Sequence, residues 1–245
     1  MKKTILLLSL SGAVLIAASF KKAPEETEKI SHTKWNDLLT KYVSADGKVN
    51  YKGFKTDKAK LEEYCDLLAK TSPKDDWSSL DRKVYWINAY NALTVQLIVK
   101  NYPTKSIKDI GGVGGPWKVK CFKIGEKSYD LDYIEHKILR KNFSDPRIHF
   151  GINCASYSCP RLSNKAFTTQ NCESQLEALA KEFINDATKN KITATKCELS
   201  EIFNWFEGDF KKSGTLIEYL NKYSTVKINS DAKISHMKYS WKLNE

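Results

Sequence analysis

The 245-residue sequence predicts an α+β fold, mainly helical, with a small sheet and one buried central helix. Three patterns carry that reading. Apolar residues recur at helical spacing in several separate segments. One of these, residues 81–100, is apolar on nearly every face, as a helix buried all round must be. The strand-like pieces are short and non-sequential, which suits a small sheet beside the helices.

The chain opens on Lys2 and Lys3, runs apolar through most of residues 5–18, and reaches small residues at Ala17-Ala18-Ser19. That three-part anatomy predicts a cleavable secretory signal over residues 1–19. Its apolar run is shorter than the roughly 18–20 residues needed to span a bilayer. No cysteine follows the small residues, which argues against a lipid anchor. Residues 20–29 are charged and short of apolar side chains, a flexible tether. Residues 30–245 then form a single globular domain. They contain no second run of transmembrane length, so stable membrane insertion is not expected once the signal is removed.

Within 30–42, Trp35, Leu38, Leu39 and Tyr42 make a helical stripe. Asp46-Gly47 marks a turn, and Val49-Asn50-Tyr51 a short extended piece. Leu61, Tyr64, Cys65 and Leu68 give a second helix over 57–69. Ser78 or Ser79 caps the central helix, which ends before Pro103. Its Asn88 and Asn91 are three apart, on one side. A buried amide without partners costs about 1–3 kcal/mol, so both must bind either loop backbone or a ligand.

Gly111-Gly112-Val113-Gly114-Gly115-Pro116 is a flexible loop, a lid or simply a turn. It lacks the Gly-Lys-Ser/Thr ending of a phosphate-cradling loop. Residues 118–124 and 127–129 predict a hairpin about Gly125-Glu126. Asp130 caps a helix carrying Glu135, His136 and Arg140. Residues 147–152 alternate polar and apolar side chains, which predicts a short strand running into residues 153–160. Further on come a helix over 173–185, an extended piece over 191–199, helices over 200–210 and 215–222, and an extended tail to Trp241.

The chain carries 40 Lys and Arg against 29 Asp and Glu, a formal charge of +11. The excess is nearly all lysine, spread without a dense block, and only Arg82, Arg140, Arg147 and Arg161 are arginines. Base readout and phosphate clamps favour arginine, so nucleic acid is not the expected partner. No cofactor signature is present. The expected partner is a small molecule or peptide of undetermined identity.

The chemistry-bearing residues gather around Cys154. His136 and His149, two of four histidines, lie within twenty residues of it, as do Glu135, Arg140, Arg147, Asn153, Ser156 and Ser158. Three readings compete. Cys154 is a nucleophile with His149 or His136 as base, oriented by Asn88, Asn91 or Glu135, and the 156–159 amides form an oxyanion pocket. Alternatively Cys154 and Cys159 form a disulfide, the default for paired cysteines in an exported chain. The third reading is a zinc site, for which the five-residue spacing is unusual. On a straight strand His149 and Cys154 would point to opposite faces, an objection that His136 escapes.

Three ordered motifs resemble domain of unknown function 547: residues 85–94, 132–140 and 145–160. The likeness extends from Trp35 through Trp205, Phe206, Asp209 and Phe210 to Trp241. It implies that Asn88, Tyr90, Asn91, His136, Arg147, His149 and Cys154 occupy signature positions. Plant-type members carry serine in place of Cys159, which implies a free Cys154 thiol. Exported bacterial proteins belong to this family, and it brings no assigned reaction. The expectation is therefore a cysteine-dependent hydrolase or acyl-transfer enzyme, periplasmic or extracellular. Cys154, His149, His136, Asn88 and Asn91 would be catalytic; Tyr90, Ser156 and Glu135 would contact substrate, and Arg147 would either bind a substrate carboxylate or serve as a structural ion-pair partner. The alternative is a non-catalytic ligand- or peptide-binding domain with a structural Cys154–Cys159 disulfide.

Overall fold

The structure, a computed structural model, describes residues 29–120 and 122–245. The signal predicted over 1–19 and the tether, apart from Lys29, lie outside the described residues, as does Cys121. The fold is α+β, mostly helical with small open sheets. Three helices, α1 (Thr33–Tyr42), α2 (Tyr51–Thr56) and α3 (Lys58–Lys70), pack around α4 (Ser79–Asn101) or against one another. The extended piece expected at Val49 reduces to one antiparallel bridge with Val43. Asn50 accepts from the Gly53 amide, so Tyr51 already opens a helix.

Helix α4 is the core element. Ser78 caps it by accepting from the Asp81 amide at 3.0 Å. Every side chain from Lys83 through Val99 is buried, as the all-round apolar pattern predicts. At about 25 cal/mol per Å² of apolar surface, burial of this kind dominates what holds the fold together.

The hairpin forms from β1 (Phe122–Ile124) and β2 (Lys127–Tyr129), with Phe122 opposite Tyr129. The next helix starts where expected: the Asp130 carboxylate accepts from the Tyr133 amide at 2.7 Å. Residues Tyr133–Leu139 are wound as a π-helix and continue into α5 (Arg140–Asn142). Such wide turns are rare and cluster at functional sites.

Residues 147–152 do not form the expected strand. Ile148–Gly151 is a single helical turn, α6, packed on α7 (Cys172–Asn185). The alternation was misleading because His149 is itself buried, only 4% exposed, along with Ile148, Phe150 and Ile152. Gly151 permits the close approach: a Cβ there would meet the Leu176 side chain at 2.7 Å.

The expected 200–210 helix is broken. It is α8 (Ile202–Trp205) and α9 (Glu207–Phe210), with Phe206 leaving helical geometry between them. Around these, β3 (Lys191–Ile192) pairs antiparallel with β4 (Lys196–Leu199), and β5 (Lys233–His236) joins β4 in parallel. Helix α10 (Leu216–Leu220) carries a full capping box from Thr215 and Glu218. The C-terminal tail then crosses the Cys154 loop, pairing Ser156 with Leu243 and Ser106 with Lys242. Among the described residues no helix is long and apolar enough to cross a membrane.

Candidate functional site

The loop bearing Cys154 is fixed from the core outwards. Asn91 of α4 accepts from the Asn153 amide at 2.9 Å and donates to the Gly151 carbonyl at 2.9 Å. Asn153 in turn donates to the Pro160 carbonyl and accepts from the Ala155 amide and Asn244. Asn88 binds both backbone groups of Phe167, at 2.8 and 3.1 Å. The two amides thus stitch loops to the central helix, and neither hydrogen-bonds an imidazole. This is the loop-backbone arrangement rather than the orienting role expected of Asn88 and Asn91.

Ala155 pays the conformational price of this fixing, with φ at +62°. A non-glycine residue in that region costs about 1–2 kcal/mol. The Asn153, Asn244 and tail hydrogen bonds offset it.

The Cys154 sulfur is surrounded by donors. Ser156 Oγ lies 2.9 Å away, Cys159 Sγ 3.1 Å and the Tyr239 hydroxyl 3.3 Å. Ser156 and Tyr239 also bond each other at 2.9 Å. A disulfide has a sulfur separation of about 2.05 Å, so the 3.1 Å contact of Cys154 and Cys159 is between free thiols. The expected structural disulfide is absent. The Cys159 thiol, with Ser156 and Tyr239, holds Cys154 below the ordinary thiol range against the opposing effect of burial. Burial pushes Cys159 up, and the neighbouring Cys154 adds to it.

Three of the four amides expected to form an oxyanion pocket, those of Tyr157, Ser158 and Cys159, are taken up by carbonyls. Tyr157 donates to the Lys242 carbonyl, Ser158 to Ser240 and Cys159 to Ser156. The tail takes the Tyr157 and Ser158 amides, and the loop itself takes the Cys159 amide.

Both histidines line the cavity onto which Cys154 opens, but their ring nitrogens bond elsewhere. His149 Nε2 donates to Asp209 at 2.9 Å, and its ring stacks on Phe206 at 4.0 Å between centroids. Burial lowers its pKa, against the opposing effect of Asp209. The hydrogen bonds from His149 and Arg140 hold Asp209 well below the usual carboxylate range. His136 Nδ1 lies 2.8 Å from the Arg140 guanidinium and must accept there, so its proton sits on Nε2, 3.8 Å from Asp132. Burial lowers its pKa as well. No close Cys–His pair exists among the described residues, and no cluster there suits a metal ion.

Glu135 and Tyr90 sit on the same cavity, joined by a 3.0 Å hydrogen bond. Burial raises the Glu135 carboxyl to about 7, against the Tyr90 bond and with help from the charge on Cys154. Arg147 does not line this cavity. It pairs with Asp145 at 2.9 Å, Glu173 at 2.5 Å and Glu177 at 3.3 Å, and Lys83 shares the first two. Of the two roles expected for Arg147, it fills the structural one.

The cavity encloses about 310 Å³. Trp117, Trp205, Phe206, Tyr239 and Trp241 build its aromatic walls. The Trp205 and Trp241 rings stack at 5.7 Å, and Tyr239 packs on both. Tyr239, Asp209 and Trp117 were missed as site residues. A usable signal existed: three of only six tryptophans in the chain meet here.

Fold and site together define an α+β protein with a paired-thiol pocket. Residues 74–184 match the family described as "Protein of unknown function, DUF547". The match holds α4, the π-wound helix, α6 and the Cys154 loop; Trp205, Tyr239 and Trp241 lie beyond it. No curated protein matches the chain. No solved structure matches it either.

Proposed function

We propose that the protein is a thiol-dependent acyl-transfer enzyme or hydrolase acting outside the cytoplasm, with Cys154 as nucleophile. The observation that supports it is the Cys154 sulfur, open to an aromatic-walled cavity and in hydrogen-bond contact with the Ser156 and Tyr239 hydroxyls and the Cys159 thiol. Those groups favour the thiolate, the nucleophilic form. No imidazole base is then required to generate it, which fits the absence of a close Cys–His pair. The placement outside the cytoplasm rests on the signal pattern of residues 1–19.

In this reading the thiolate attacks an acyl carbonyl, forming a C–S bond. The leaving group takes a proton from Glu135, whose raised pKa keeps it largely protonated up to about neutrality. The Nε2–H of His136 faces the developing oxyanion in place of the consumed backbone amides. Water, or a second nucleophile, then attacks the thioester carbonyl and gives its proton to Glu135, the C–S bond breaks, and the acyl product leaves with the thiolate and the Glu135 acid restored. His149 holds the Phe206 wall and Asp209 in place. The aromatic walls suit an acyl compound or peptide with a flat or apolar group beside the carbonyl.

The test is p-nitrophenyl acetate with the reduced full-length protein, read by nitrophenolate release and intact mass. The expected result is an acetyl adduct on Cys154 and a release rate at least about tenfold lower in Cys154→Ala. Equal release by Cys154→Ala, with no adduct, would contradict the enzyme reading. It would leave the non-catalytic binding domain, which the lack of a Cys–His contact also suits.

A further inference from the structure

Cys159 has no part in the acyl-transfer scheme beyond its hydrogen bond with Cys154, yet its position goes further than a hydrogen bond requires. It is buried, 7% exposed, and its sulfur lies 3.1 Å from that of Cys154. Bond formation at about 2.05 Å needs an approach of only about 1 Å. A turn closed by the Cys159 amide on the Ser156 carbonyl, at 3.0 Å, brings the two residues together. The Cys154 amide also donates to Cys159 Sγ at 3.1 Å, which stabilises charge on that sulfur as its proton leaves. Cys65, Cys172 and Cys197 are buried in the hydrophobic core and belong to other elements.

We infer that Cys154 and Cys159 form a reversible redox pair, in which a hydroperoxide oxidises Cys154 and Cys159 resolves the product as an intramolecular disulfide. The inference rests on Cys154 being the cavity-lining, reactive thiol of the proposed site, and not on acyl transfer itself. The Cys154 thiolate attacks a peroxide oxygen: an S–O bond forms, the O–O bond breaks, and hydroxide or alkoxide leaves. Cys154 loses two electrons and the peroxide gains them. The Cys159 thiol then attacks Cys154 Sγ: the S–S bond forms, the S–O bond breaks, and the hydroxide leaves with the Cys159 proton as water. An external dithiol reverses the change by two thiol–disulfide exchanges, becoming a disulfide itself. Oxidation therefore removes the nucleophile from the cavity without destroying it, since the bridge intercepts the sulfenic acid before irreversible oxidation.

The experiment treats the reduced full-length protein with hydrogen peroxide near stoichiometry. Peptide mapping then locates bridges, and iodoacetamide measures the free Cys154 thiol. The expected result is a Cys154–Cys159 bridge, at least a tenfold loss of Cys154 alkylation, and full recovery with dithiothreitol. In Cys159→Ser, which keeps a hydroxyl donor beside Cys154, no bridge forms and dimedone traps a sulfenic acid on Cys154. Circular dichroism checks that this variant is folded. Irreversible oxidation of Cys154 in the wild type, or bridges made instead to Cys121 or another cysteine, overturn the inference. The two proposals fail separately: alkylation at neutral pH without a peroxide-induced bridge sinks only the redox pair. A bridge without p-nitrophenyl acetate acylation sinks only acyl transfer.

Discussion

At the scale of the residue, the groups that lower the Cys154 pKa are neutral, and among the described residues no imidazole nitrogen bonds its sulfur. Each such hydrogen bond contributes about 1–2 kcal/mol, close to one pH unit. Tyr239→Phe is therefore expected to raise the apparent Cys154 pKa by up to about one unit, seen in the pH profile of alkylation; an unchanged profile would remove Tyr239 from the site. Glu135 makes a second prediction. Its folded pKa, about 7, lies above the usual value of 4.5. The folded protein therefore holds this proton more tightly than the unfolded chain does. Stability is highest below about pH 4.5 for this group and falls as pH rises towards 7, by about 3 kcal/mol in all. Glu135→Gln should flatten that part of the urea-stability curve relative to wild type. A parallel curve for the variant would contradict the assignment. Cys154, Ser156 and Glu135 were legible as a cluster because they lie in segments dense in polar residues, whereas Tyr90, in the apolar helix α4, was legible only through the family resemblance. Tyr239 was not, because its contact with Cys154 spans 85 residues and no local pattern encodes it.

Among the elements, α4 was the most legible, because an all-round apolar pattern admits only a buried helix. Its asparagines were legible as amides in need of partners, though not which partners. Asn91→Ala leaves the Gly151 carbonyl and Asn153 amide unmatched, and is expected to destabilise the protein by about 1–3 kcal/mol. Urea denaturation measures this, and a loss under about 0.5 kcal/mol, the size of an ordinary surface change, would contradict it. Helix α6 was misread as a strand because polar–apolar alternation assumes that polar side chains face water. His149 is instead buried by its bond to Asp209 and the Phe206 face. The break at Phe206 was also invisible, since residues 200–210 keep helical periodicity across it. That break is what sets Phe206 against His149 and lets Asp209 reach the same ring.

Across the molecule, the site is assembled from distant parts of the chain. The family-matched region supplies the thiols, Glu135 and both histidines, while the later segments supply Asp209 and most of the aromatic walls. The tail does more than wall the cavity: it bonds the Tyr157 and Ser158 amides and carries Tyr239 to the sulfur. Truncation after His236 is expected to speed amide exchange at Tyr157 and Ser158 and to move Cys154 alkylation towards the pH range of a free thiol. Unchanged exchange at those two amides would show that the loop holds its shape without the tail.

Acyl transfer and peroxide reduction at this site both require Cys154 to ionise near neutral pH. Iodoacetamide labelling of the reduced full-length protein across pH, with the modified residue identified by mass spectrometry, measures this directly. The predicted result is rapid labelling of Cys154 with a midpoint well below the free-thiol value of about 8.5. A midpoint at or above that value, or a Cys154 that resists labelling in the folded reduced protein, would contradict it.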